Sequence, residues 1–135
     1  MGLFDSLRIS ASGMTAERVR MDVIAENLAN ANTTRGVDGQ PYQRKQVVLE
    51  QGGSSFQDVL DGVKVAGVVT DPAAPRRVYD PGHPDADQQG FVSLPNVTPV
   101  TEMVDMITAS RGYEADVQAM NTAKQMFLKT LDLLR

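Results

Sequence analysis

The residues of this 135-residue chain best placed to do chemistry lie in one stretch, Tyr79-Asp80-Pro81-Gly82-His83-Pro84-Asp85-Ala86-Asp87 and on to Gly90. It brings Asp80, Asp85 and Asp87 close to His83, the single histidine. Carboxylate and imidazole together suit a divalent cation. Asp85, Asp87 and Gly90 also imitate the opening of an EF-hand calcium loop. The imitation fails further on. Its fifth position is Gln89 instead of Asp or Asn, and its twelfth is Asn96, where a bidentate Glu is needed. Pro81 and Pro84 keep a helix from running into Asp85. The reading these residues favour is a rigid structural loop. Two prolines set φ, Gly82 permits a turn, and the aspartates accept from nearby backbone N–H groups. A small metal-binding module is the weaker alternative.

No other constellation points to catalysis. A nucleophilic triad needs an activating base, and no serine sits in a Gly-x-Ser-x-Gly elbow. There is no P-loop and no dinucleotide fingerprint. Nothing singles out a carboxylate pair for glycoside hydrolysis. The absence of cysteine excludes disulfides, thiolate catalysis and Cys-ligated zinc. A net charge of −4 and a pI near 4.9 argue against a phosphate-tracking surface, hence against nucleic acid. No apolar run reaches the roughly 18 residues a membrane span requires. No basic region followed by an apolar stretch marks a Sec-type signal peptide. Neither an enzyme nor a cofactor or metal site is expected. The chain is 41% apolar but only 5% aromatic, without tryptophan, so a large core is not expected either.

The elements that must carry any function lie at the two ends. From Thr98 to the C-terminus, steps of three and four pick out Met103, Met106, Ser110, Tyr113, Val117, Met120, Lys124, Phe127, Leu131 and Leu134. Eight of these ten are apolar or aromatic, the pattern of a coiled-coil seam. Thr98 as cap, Pro99 at the first position and Glu102 near the positive end of the dipole mark its start. Such a helix spans roughly 55 Å and ends apolar, so it calls for a partner. Arg111-Gly112 in its middle suggests a close helix approach or a slight bend.

Residues 3 to 31 predict a second amphipathic helix. Leu7, Met14, Met21 and Leu28 recur every seven residues, with Ala11, Ile24, Ala25 and Ala31 flanking. Glu17, Arg20, Asp22 and Glu26 form its polar face. Asn27, Asn30 and Asn32 crowd its end, and they admit two readings. They cap and fray the helix, or one or two of them hydrogen-bond across a helix interface and set its register.

Between the helices the chain changes character. Short valine-rich runs at 47–49, 63–70 and 91–94, with a further one at 76–79, read as strands. Residues 51 to 55 read as a flexible connection, and 54 to 61 as room for a short helical turn. The fold class is therefore α+β: long N- and C-terminal helices paired as an antiparallel coiled coil, with a small β-rich insert. The divisions fall at 1–36, 37–96 and 97–135. Two helices cannot bury two wide apolar stripes against each other alone. The surplus predicts an assembly interface along Leu7, Met14, Met21, Leu28, Met103, Met106, Val117, Met120, Phe127, Leu131 and Leu134.

Specific stretches then resemble a known family. Leu3-Phe4, Ile9-Ser10-Ala11-Ser12-Gly13-Met14 and Asn27-Leu28-Ala29-Asn30-Ala31-Asn32 are similar to the N-terminal signature of flagellar rod, hook and other axial proteins. The Gly39-to-Val48 run, the loop Val78-to-Asp87, Gly90-to-Val97 and the C-terminal half from Glu102 to Lys124 narrow the likeness. They resemble the short proximal-rod subunits of the basal body. That resemblance implies a structural, non-enzymatic protein without cofactors. Its terminal helices would form the inner layer of a helical tube around an export channel, with the insert facing outward. It further implies torque transmission from motor to hook. Implied partners are copies of the chain, other rod proteins, the flagellar type III export apparatus and the MS ring. The location implied is the periplasmic rod, reached by export without a cleaved signal.

Overall fold

A computed structural model describes residues 3–36, 38–51 and 62–133. Helix α1 (Leu3–Ala29) is followed by four strands, β1 (Lys45–Gln51), β2 (Val63–Thr70), β3 (Arg76–Tyr79) and β4 (Phe91–Leu94). Helix α2 (Pro99–Leu133) closes the order. The class is α+β, with each strand on a run read as one. Residues 52–61, which include the stretch 54–61 expected to hold a short helical turn, and Leu134 lie outside the described residues.

The strands form two separate antiparallel pairs. β1 lies on β2 from Lys45↔Thr70 to Gln51↔Val63, with an irregularity between Val48 and Leu49. β3 lies on β4 from Arg76↔Leu94 to Tyr79↔Phe91. A two-stranded sheet is marginal by itself, and both pairs are tied to other elements. Ser12 Oγ on α1 accepts from the Val63 N–H at 3.1 Å. Asp85, in the β3–β4 connection, accepts from Thr34 Oγ1 at 2.8 Å and pairs with Arg35 at 2.8 Å.

The helices run antiparallel. Phe4 meets Phe127 with ring centroids 6.3 Å apart, Gly13 faces Asp116, Glu17 faces Gly112, and Asn27 meets Glu102. As α1 residue numbers rise, those opposite on α2 fall. The expected close approach at Gly112 is present and reciprocal. A Cβ on Gly112 would sit 3.3 Å from the Glu17 carboxyl, and one on Gly13 would overlap the Asp116 carboxylate. Each helix contributes a glycine notch to receive the other's acidic side chain.

The buried face of α2 is rotated from the stripe read in sequence. Fully covered positions are Glu102 and Ala109, one residue before Met103 and Ser110, and Met103 is half exposed. Ala109 takes its inner position because a small side chain lets the backbones approach, whereas Glu102 is held there by its polar partners Asn27 and Arg44. On α1 the buried residues are Ala16, Val23, Ile24 and Asn27, while Leu7, Met14, Met21 and Leu28 are half-buried and Ala25 is exposed. Glu17, read as solvent-facing, lies at the interface. The buried apolar residues are small or medium: Ala16, Val23, Ile24, Ala31, Val92, Val97 and Ala109. The largest fully buried side chains are Glu102, Asn27 and Pro95. Two of the three are polar, so hydrogen bonding has to specify this core.

Leucine at position 112 has no room beside Glu17. Gly112→Leu should destabilise the chain by about 1–3 kcal/mol in urea unfolding, the usual cost of overpacking. Adding Glu17→Ala should recover part of that loss, since the two sites are in contact.

Candidate functional site: a polar junction and an uncovered helix face

The junction forms where α1, α2 and β1 meet. Asn27 sits two residues before the end of α1 and is 1% exposed. Its Nδ2 donates to the Lys45 carbonyl at 2.8 Å and to Glu102 Oε2 at 3.0 Å. Its Oδ1 accepts from the Lys45 N–H at 2.9 Å and from the Tyr42 hydroxyl at 2.8 Å. An asparagine amide has two donors and an acceptor oxygen with two lone pairs, so all of it is used. The cross-interface reading of the asparagines thus holds at Asn27. At Asn30 the capping reading holds, since its Nδ2 donates to the Glu26 carbonyl of its own helix and its Oδ1 accepts from Thr33.

Glu102 is completely buried. Its other oxygen accepts from Arg44 Nε at 2.6 Å, and Arg44 Nη2 reaches Asp105 at 3.5 Å. The Arg44 N–H donates to Asn96 Oδ1 at 3.0 Å, which draws the approach to α2 into the junction. Lys45 Nζ pairs with Glu26 at 2.5 Å. Burial first, and then the charges of Glu26 and Glu102, push the Tyr42 phenol up to about 12. Sequence reading gave Glu102 only a helix-end role and passed over Tyr42 and Arg44. One signal was available. Glu102 precedes Ala109 by seven residues, and a carboxylate on a buried stripe needs a cation and a donor.

The loop carboxylates are engaged locally. Asp80 Oδ1 accepts from the Gly82 N–H at 3.2 Å, and His83 Nδ1 accepts from the Asp85 N–H at 3.1 Å. Asp87 Oδ1 accepts from the N–H groups of Gln89 and Phe91, each at 2.9 Å, and Arg77 donates to its Oδ2 at 2.6 Å. The Phe91 N–H above all, then the Gln89 N–H and the Arg77 guanidinium, hold Asp87 below the usual carboxylate range against some desolvation. Tyr79 packs edge-on to Phe91 at 5.3 Å. Gly90, at φ 80°, sits where a Cβ would strike the Tyr79 ring. Pro81 and Pro84 lie exposed beside these turns. Among the described residues no group of three or more His, Asp or Glu side chains is arranged to hold a metal ion.

Of the expected interface residues, Met106, Val117 and Met120 are half-buried, whereas Met103, Phe127 and Leu131 are 39–52% exposed. Uncovered beside them are residues the seam omitted: Val100, Val104, Ile107, Met126, Leu128 and Leu133. No described helix is long and apolar enough to cross a membrane.

The ends of the chain match two families of axial protein. Residues 7–35 match the family described as flagella basal body rod protein. Residues 88–133 match the flagellar basal body rod FlgEFG protein C-terminal family. Whole-chain relatives narrow the class. The chain is 46% identical to flagellar basal-body rod protein FlgC of Bacillus subtilis, over 98% of this chain and 99% of that one. It is 47% identical to FlgC of an Escherichia coli strain over 98% of each chain, and 41% identical to FlgC of Aquifex aeolicus over 98% and 97%. The chain belongs to the flagellar basal-body rod protein FlgC family.

Removing the Asn27 amide strands the Lys45 peptide, the Tyr42 hydroxyl and one Glu102 oxygen. Asn27→Ala should lower the unfolding free energy by about 2–4 kcal/mol in a urea titration. The Tyr42 phenol is raised in the folded state, so its share of stability is full below pH 10 and is lost as pH rises toward about 12. The melting temperature should fall across that window, and Tyr42→Phe should remove that part of the fall.

Proposed function

We propose that this chain is a structural subunit of the proximal rod of the flagellar basal body. It polymerises with its own copies and with other rod proteins into a helical tube around the export channel, and the tube carries torque from motor to hook. Membership of the FlgC family over nearly the full chain supports the reading. The observation that carries it is the run of exposed apolar side chains along both ends of α2, which a free monomer has no use for.

In this reading α1 and α2 pack as a coiled coil within the rod, completed by neighbouring subunits along the half-covered residues Leu7, Met14, Met21, Leu28, Met106, Val117 and Met120. The two strand pairs and the Tyr79-to-Asp87 loop, built as a rigid unit, face outward into the periplasm. The chain reaches the rod unfolded through the flagellar type III apparatus, for which a small core without disulfides is suited. Contact with the MS ring follows from a proximal position. Stiffness comes from the polar junction, which locks both helices to the β-region with directional bonds.

The test is complementation in cells whose own copy has been deleted. The wild-type chain should restore motility and be found in the rods of isolated basal bodies. Leu131→Asp should leave expression and export intact while abolishing incorporation. Intact rods and normal swimming in that variant, or a wild-type chain located elsewhere, would overturn the reading.

A further inference from the structure

Two acidic side chains enter the α1–α2 interface with no bond that accounts for them. Glu17 lies against Gly112, and Asp116 lies against Gly13. Glu17 Oε2 is buried and has no hydrogen-bond donor. Its ion-pair contact, to Arg20 on the next turn of α1, is 3.7 Å long. Among the described residues no hydrogen bond or ion pair engages Asp116. A buried carboxylate oxygen without a donor weakens the state that contains it. Glu17 therefore has some use other than holding the native pair together.

The alternatives to the native pairing show that use. Glu17 faces Gly112, Gly13 faces Asp116 and Asn27 meets Glu102, which fixes the residues that stand level on the two helices. A slip of one turn, about four residues or roughly 6 Å, keeps nearly the same faces together, so it is the nearest wrong pairing. In one direction the slip sets Glu17 level with Asp116, two like charges in a partly dry interface. Shape alone would permit that register. Gly112 would come level with Met21 and Gly13 with Met120, and methionine fills irregular gaps readily. In the other direction Gly13 comes level with Gly112 and leaves a hollow, while Glu17 and Asp116 are pressed onto Thr108 and Ile9. Only the native register seats each acid in a notch.

We infer that Glu17 and Asp116 select the register of the helix pair, barring the one-turn slip by mutual repulsion while adding nothing to the correct state. Specificity of this kind comes from penalising the competitor. Asn27 works the other way. It favours the correct register through bonds that need Tyr42 and Lys45 already in place, whereas the acids act as soon as the two helices touch.

The chain has no cysteine, so spin labels go only where thiols are introduced. Ala25 and Lys124 are both exposed. Ala25 stands level with Val104, and Lys124 lies 20 positions further along α2, an axial offset of roughly 30 Å. The full-length Ala25→Cys/Lys124→Cys protein should give a single distance by double electron–electron resonance. Adding Asn27→Ala should keep that distance, because the acids still select. Adding Glu17→Gln and Asp116→Asn as well, which removes charge and keeps shape, should bring in a second distance roughly 5 Å shorter. An unchanged single distance in that last protein would overturn the inference. So would the shorter distance appearing with Asn27→Ala alone, since the junction would then be the selector. A second measurement serves if the Asn27→Ala proteins do not hold their helices together. With the junction intact, Glu17→Gln plus Asp116→Asn should leave the folding equilibrium constant unchanged or raised in a urea titration. A fall of more than about threefold would show that the acids stabilise the native pair, and the selective role would be lost.

Discussion

The structure depends on one side chain having nothing left to bond. The amide of Asn27 joins the end of α1 to the first residue of β1, to a carboxylate on α2 and to a phenol from the connecting segment. Apolar contacts tolerate small slips and rotations, whereas hydrogen bonds of fixed direction do not. In a low-dielectric setting each such bond is stronger, and each missing partner costs more. Glu102 raises the stakes. A buried carboxylate is tolerable only with a cation in good geometry, and Arg44 supplies it from the β-region.

That junction permits the rest of the core to be slight. The interior residues are mostly alanine and valine, and the glycine notches at Gly13 and Gly112 bring the helix backbones close without large side chains between them. Close approach spends little apolar surface, so methionines, leucines and phenylalanines stay partly uncovered on the outside. A subunit of this design is specified by its own polar bonds and leaves apolar surface uncovered. The division suits a structural subunit of the flagellar rod.

Much of this was readable from residue order alone. The helices begin and end within a few residues of where capping and periodicity place them, and all four strands fall on the valine-rich runs. The rotation of α2 was not readable. Steps of three and four through Met103, Ser110 and Val117 trace the apolar flank, and the covered row runs instead through Glu102 and Ala109. Hydrophobicity marks what would like to be buried. It does not say that a charged residue with a remote partner, or a bare backbone, will be placed there. Arg44 lies 58 positions from Glu102, and no local pattern links them. The asparagines posed the same difficulty, since Asn27 and Asn30 look alike in sequence and only the fold separates the hub from the cap.

A helix pair gripped at one end has unequal freedom along its length. Near Asn27 and Glu102, opening a backbone bond means breaking the whole cluster. Toward Phe4 and Phe127 the helices meet through a tilted ring contact and half-buried side chains, away from the cluster. Amide protons should therefore trade with deuterium slowly at the gripped end and progressively faster toward the tips. Those far ends also carry much of the exposed apolar surface, at Phe4, Met126, Leu128, Leu131 and Leu133, so the grip and the uncovered surface sit at opposite ends of the helix pair.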